Sequence, residues 1–317
     1  MEDKAHDALV DVEAGLDVLH PERSRVPVRV LGYGEMSTVL TSDAAGLAGQ
    51  ALKRMAIFHD ESEAATYARN LDRYAIALRA AGLELPPQRA EVVTSPRTGW
   101  PVLYLMQSRV PAVSVANAVL HSVDDESALR LVRSVLRRAC EVVGEHDGGV
   151  RLALDSQISN WSVDGFDPGR AGFVGDEGLV YLDTGTPLLR IDGVEQIDPE
   201  LFLRLCPSSL RWLVRRFFLD EVLDRFYDPR LVAVDLLGNL CKEGRPDLVE
   251  PGARVATEVL GEGGAGAPVT AAEVIGFYRR DKFIWRLFLG LRRGERLLQT
   301  RVLRRPYDVV LPGRIHR

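Results

Sequence analysis

Four short stretches of this 317-residue chain carry residue types that handle phosphate groups or move protons. Gly32 and Gly34 stand one residue apart in VLGYGEMSTVL, with Ser37 and Val39 after them. Such a pair makes a hairpin turn. It also suits a lid over phosphates, because without Cβ atoms the backbone N–H groups approach oxygen anions closely. Lys53 interrupts an apolar run, GQALKRMAIF. It is either an edge-strand lysine facing water or an inward cation that needs an anion, since an unpaired buried ammonium is costly. Asp155 and Asn160 form D-x-x-x-x-N between two short apolar runs, and Asp183 with Gly185 forms D-x-G after another. Taken alone, Asp183 reads equally well as a turn residue.

The elements that must position these groups follow from pattern. VPVRVLGYGEMSTVLTSD reads as two β-branched strands around a glycine turn, and GQALKRMAIF as a third strand. DESEAATYARNLDRYAIALRAAGLELPP reads as a helix: Asp60 or Ser62 caps its start, Tyr67, Leu71, Tyr74 and Leu78 form one stripe, and Gly82 and Pro86 stop it. AEVVTSPRTGWPVLYLM reads as a hairpin. After Gln107 the pattern changes to a long amphipathic helix, short strands at VRLALDSQISNWSV and GLVYLDTGTPLLR, and then helices. The expected class is therefore α+β in two lobes: a polar lead-in over 1–25, a β-rich lobe over 26–107, and a larger helical lobe over 108–317.

Read in order, Gly32–Gly34–Ser37–Val39, Lys53, Asp155–Asn160 and Asp183–Gly185 resemble the signature set of the protein-kinase-like superfamily, closest to its aminoglycoside phosphotransferase and choline kinase branch. The resemblance spans roughly residues 26–190. It implies a bilobal fold, ATP and Mg²⁺ as cofactors, and transfer of the γ-phosphoryl group to a hydroxyl of a small-molecule acceptor. In that reading the glycine loop covers the phosphates, and Lys53 clamps the α- and β-phosphates. A helix carboxylate orients Lys53: Glu63, on the Tyr67 stripe, is preferred to Glu61. Asp155 takes the acceptor proton, Asn160 and Asp183 hold the metal, and the strand end near Met106–Arg109 holds the nucleotide base. The sequence departs from the family in three places. No His or Arg stands just before Asp155, where Ala153 and Leu154 are found, so loop geometry is left to packing. Thr184 occupies the middle of D-x-G, and DGFDPGRAGFVGDEG lengthens the hairpin at 164–178. Transfer of AMP, phosphorylation of protein, and a non-catalytic nucleotide-binding scaffold remain rival readings.

Composition sets outer limits. At 46% hydrophobic and 27% charged residues the chain has an ordinary globular make-up. Its acidic start and the lack of any long apolar run predict a cytoplasmic protein. Three scattered cysteines and six scattered histidines offer no metal-ligand spacing. Only Lys4, Lys53, Lys242 and Lys282 are lysines in an arginine-rich chain, which singles out each of them. Residues 277–317 hold twelve Lys or Arg against three Asp or Glu. Helical spacing there predicts a final helix docked through Phe283, Ile284, Leu287, Phe288 and Leu291 with solvated arginines. The second reading is a surface for an anionic partner or membrane; no nucleic-acid motif is present.

Overall fold

Strands Arg29–Tyr33 (β1), Thr38–Thr41 (β2), Gln50–Met55 (β3), Gln88–Thr94 (β4) and Pro101–Ser108 (β5) pair antiparallel into one sheet, in the order β1-β2-β3-β5-β4. The computed structural model describes residues 2–34, 36–169, 178–205, 223–262, 264, 267–304 and 307–312. Cys206, the rest of the stretch 206–222 that the sequence pattern predicts to be helical, most of the 164–178 insertion and part of the 261–268 connector lie outside them.

Side chains alternate across a strand with period two, and both faces of this sheet are used. Leu103 and Leu105 of β5 face helix Glu61–Ala80 (α2), which presents Ala64, Tyr67, Leu71, Tyr74 and Leu78. Asp60 caps that helix, accepting from Glu63 N at 2.9 Å. Val102, Tyr104 and Met106 face the opposite way, toward helix Glu2–Gly15 (α1). The first 25 residues are thus more than a polar lead-in. Ala5, Leu9, Val12 and Leu16 recur at helical spacing and are buried against the sheet, each large side chain adding about 1.5–3 kcal/mol.

That outer face also encloses a charge cluster. Arg54 of β3 donates to both Glu13 oxygens at 2.7 Å and to Asp308 Oδ1 at 2.9 Å. Arg97, in the β4–β5 turn, reaches Glu13 and Asp308 as well, and the Tyr104 hydroxyl donates to Glu13 at 2.6 Å. Two guanidinium groups balance two carboxylates. Burial pushes the Glu13 carboxyl up, but the Arg54 hydrogen bonds and charge outweigh it and hold the group below its ordinary range. Through Asp308, and through Val310, whose carbonyl accepts from Thr38 Oγ1 at 3.3 Å, the segment 307–312 is fastened to the N-terminal lobe.

The second lobe is mainly helical. Ala116–Ser122 (α3) and Asp125–Val142 (α4) lead into short strands: Gly144–His146 (β6), Val150–Leu152 (β7), Trp161–Val163 (β8), Leu179–Tyr181 (β9), Leu189–Ile191 (β10) and Val194–Glu195 (β11). The β8–β9 pair forms one ribbon, and β11-β10-β7-β6 a second small sheet. Helices Pro199–Leu205 (α5), Pro229–Lys242 (α6), Val249–Glu262 (α7) and Ala271–Leu297 (α8) follow, and α8 runs into one π turn, Leu298–Val302. The expected α+β class holds: a sheet-bearing N-terminal lobe and a helical C-terminal lobe. No described helix is long and apolar enough to cross a membrane.

The docking of α8 differs from expectation. Val274, Leu289 and Arg292 are its buried residues, and Phe277 and Phe288 pack partly against the core. Phe283, Ile284 and Leu287 face outward. The helix is apolar on more than one face, and spacing alone does not say which face meets the lobe.

Candidate active site

Lys53 is only 7% exposed, at the centre of β3 between Val39 and Leu105. It is not an edge lysine. Its ammonium donates to Asp183 Oδ1 at 2.9 Å and to the Leu182 carbonyl at 2.7 Å. Burial pushes the Asp183 carboxyl up, but the Lys53 charge and hydrogen bond outweigh it and hold the group below its ordinary range. Asp183 leaves β9, and Leu182 N donates to the Asn160 carbonyl at 2.7 Å. That backbone bond sets Asn160 and Asp183 side by side. The Asn160 amide nitrogen in turn donates to the Asp155 carbonyl at 3.1 Å. Lys53, Asp183, Asn160 and Asp155 therefore form one chain of contacts between the lobes.

Two cavities meet at these residues. One, of about 960 Å³, is walled by Gly32, Gly34, Ser37, Val39 and Lys53 above and by Asn160 and Asp183 below. Gly34 N donates to Ser37 O at 2.9 Å, closing the turn between β1 and β2. A Cβ on Gly34 would stand 3.2 Å from Ser37 Oγ, while Gly32 has open space. The smaller cavity, about 190 Å³, contains Asp155 and lies against α6 and α8, with Lys242, Phe277, Tyr278 and Trp285 on its wall. Gly34, Asn160 and Asp183 border both.

Two sequence assignments need correction. Glu63 does not meet Lys53. It sits in the first turn of α2, where Arg204 of α5 grips both its oxygens at 2.6 and 2.7 Å and His59 N donates at 2.9 Å. The Arg204 hydrogen bonds hold its carboxyl down to about 2. One helical turn further on, Tyr67 takes the inward place, and its hydroxyl donates to the Gly185 carbonyl at 2.9 Å. Met106 does not line the large cavity either. It lies within β5, paired with Leu52 and Arg89, and its side chain packs on the α1 face. The strand runs on to Ser108, so the lobe connection begins later, where Ser108, Arg109 and Val110 border the cavity.

The loop bearing Asp155 is held by more than apolar packing, through residues distant in sequence. Tyr74 of α2 donates to the Ala153 carbonyl at 2.6 Å, and Tyr181 to the Asp155 carbonyl at 3.2 Å. Asn239 of α6 accepts from Ile158 N at 3.0 Å, and Lys242 donates to Gln157 Oε1 at 2.9 Å. Thr184 is anchored to the sheet: its hydroxyl donates to Gln88 Oε1 at 2.5 Å and accepts from Gln107 at 3.0 Å. Of these, Lys242 carried a signal in the sequence as one of four lysines, Tyr74 by its place on the α2 stripe and Thr184 as the middle of D-x-G; Tyr181, Asn239, Gln88 and Gln107 carried none.

A family model described as "Family of unknown function (DUF6206)" matches residues 19–296, most of the chain. The chain belongs to the DUF6206 family. No curated protein matches it. Among solved structures, this DUF6206 member is similar to WaaP in complex with acyl carrier protein (14% identity, 73% of this chain and 89% of the other covered, TM-score 0.33). It is similar also to the maize SIRK1 (sucrose-induced receptor kinase 1) kinase domain bound to AMP-PNP (13%, 80% and 92%, 0.37). A third is the GDP complex of aminoglycoside 2'-phosphotransferase-IIIa (11%, 82% and 99%, 0.33).

Proposed function

We propose that this DUF6206 protein is a phosphotransferase that moves the γ-phosphoryl group of Mg-ATP to a hydroxyl of a small molecule. The observation that carries the reading is the shared wall: Asn160 and Asp183 border both the large cavity under the glycine turn and the small one holding Asp155. A nucleotide in the first and an acceptor in the second would meet there. Phosphoryl transfer asks little of a protein beyond positioning and charge neutralisation.

In this reading the Gly32, Gly34 and Ser37 backbone covers the phosphates, and Lys53, braced by Asp183, supplies a fixed positive charge. Asp155 accepts the acceptor's hydroxyl proton as the oxygen bonds to phosphorus and ADP leaves. The Asp183 carboxylate and the Asn160 amide oxygen are hard ligands and would hold Mg²⁺ at this cavity wall. Bound there, the metal would neutralise phosphate charge. Tyr67 and Thr184 fix the Asp183–Gly185 turn, while Asn239 and Lys242 support the Asp155 loop, where the His or Arg of the kinase-like signature is missing.

The test is thermal unfolding with and without Mg-ATP, followed by incubation with a metabolite panel and mass spectrometry of the products. A raised melting temperature with a phosphoryl increment on one acceptor is expected. An adenylyl increment would replace this reading with AMP transfer, and stabilisation without ATP consumption would replace it with a binding scaffold.

A further inference from the structure

The outward face of α8 and its π turn is the largest feature that the catalytic reading leaves unused. Exposed apolar residues run along it: Phe283 (67%), Ile284, Leu287, Leu297, Leu298 and Val302 (68%). Taking about 100° per residue, these fall within one stripe, and at about 1.5 Å per residue the stripe extends for about 28 Å. Gly290 and Gly294 lie exposed at its middle, with open space where a Cβ would stand. Arg279, Arg280, Arg286, Arg301 and Arg304 are exposed along the same face. The acids of this region turn inward: Asp281 toward the small cavity beside Asp155, and Glu295 and Asp308 toward a separate cavity under Trp100. The exposed apolar side chains and these five arginines thus stand outside, while the carboxylates turn inward, two of them beside the buried Arg292.

We propose that this face is a docking surface for an anionic lipid bilayer, on which α8 lies in the interface plane. Charge complementarity selects the occupant. A second copy of α8 would bring arginine against arginine, whereas anionic headgroups neutralise them and the acyl boundary takes up Phe283, Leu287 and Leu298. The stripe sets exposed aliphatic and aromatic groups among arginines, the composition of an interfacial helix. Contact is peripheral, since no described helix can span the membrane. The inference stands apart from the phosphotransferase reading, because none of these residues touches the catalytic groups.

The test is co-sedimentation of the full chain with phosphatidylcholine vesicles, with and without about 30% phosphatidylglycerol, at about 0.1 M salt. Binding to the anionic vesicles, at least about tenfold weaker to the neutral ones, is expected. Phe283→Ser with Leu287→Ser should abolish it, and Arg279→Gln with Arg286→Gln should weaken it about thirtyfold. All four positions are exposed, so the melting temperature should hold and separate lost docking from misfolding. Failure to bind either vesicle overturns the proposal. So does binding that both double variants retain. A concentration-dependent dimer broken by Leu287→Ser, with no vesicle binding, assigns the face to a second copy instead.

Discussion

The Lys53 ammonium lies 2.9 Å from Asp183 Oδ1, across 130 residues of sequence and across the gap between lobes. The buried ammonium needs that carboxylate, which itself stays 34% exposed toward the cavities. The sheet supplies the cation and the helical lobe supplies the anion, so each lobe's candidate site residue depends on the other lobe for its charge balance. Asp183→Asn is expected to weaken Mg-dependent nucleotide binding more than metal-free binding, which calorimetry with and without Mg²⁺ measures. Equal losses in both conditions would remove Asp183 from the metal.

Asp155 lines the small cavity and is not among the residues that line the large one. Asp155→Ala should lower turnover about 10²–10⁴-fold and leave nucleotide affinity unchanged. Normal turnover in this variant would take the acceptor proton away from Asp155.

Asn239 accepts from the buried Ile158 N–H, so Asn239→Ala leaves that donor orphaned at a cost of about 1–3 kcal/mol. The loop carrying Asp155 should loosen. The expected signature is a fall in kcat with nucleotide Kd preserved, and hydrogen exchange should quicken at residues 155–160. Unchanged exchange there would assign loop support to the tyrosines alone.

Glu63 is held by Arg204 down to about 2, against an ordinary 4.5. A carboxyl lowered on folding stabilises fully above its unfolded value and loses that contribution as pH falls toward the folded one. The melting-temperature gap between the native protein and Glu63→Gln should therefore be widest near neutrality and close between pH 4.5 and about 2. Salt should narrow it, since the pair is partly exposed. Nucleotide affinity should not change. A loss of affinity would return Glu63 to the Lys53 clamp.

Removing one member of the Glu13–Arg54–Asp308–Arg97 cluster leaves buried charge uncompensated. Asp308→Ala should cost about 3–5 kcal/mol, read as a lowered denaturant midpoint with the cleft residues unaltered. A change below about 1 kcal/mol, the scale of an exposed pair, would mean that water reaches the cluster.

What the sequence made legible was whatever local pattern encodes. The glycine turn, the Asp60 cap, the α2 stripe and the β4–β5 hairpin depend on near neighbours, and the structure has them. The ordered set Lys53, Asp155, Asn160 and Asp183 was readable because spacing and flanking strands stand in for distance. Glu63 shows the limit. It does lie near the Tyr67 stripe, but position along the helix decides which partner it meets, and Arg204 comes from a helix 141 residues away. Met106 was misplaced because an apolar strand does not announce its last residue. Asn239, Gln107 and Gln88 are ordinary polar residues until the fold gathers them. Helix α8 offers apolar positions all round, so the choice of docking face was invisible.

Asp308 completes a charge cluster whose other members are Glu13, Arg54 and Arg97. During synthesis the ribosome delivers those three long before it delivers their fourth partner. Until then the early sheet carries two guanidinium groups opposite one carboxylate, beneath an α1 helix that is already made. The cluster in the N-terminal lobe therefore reaches charge balance only after the helices that precede Asp308 have been translated.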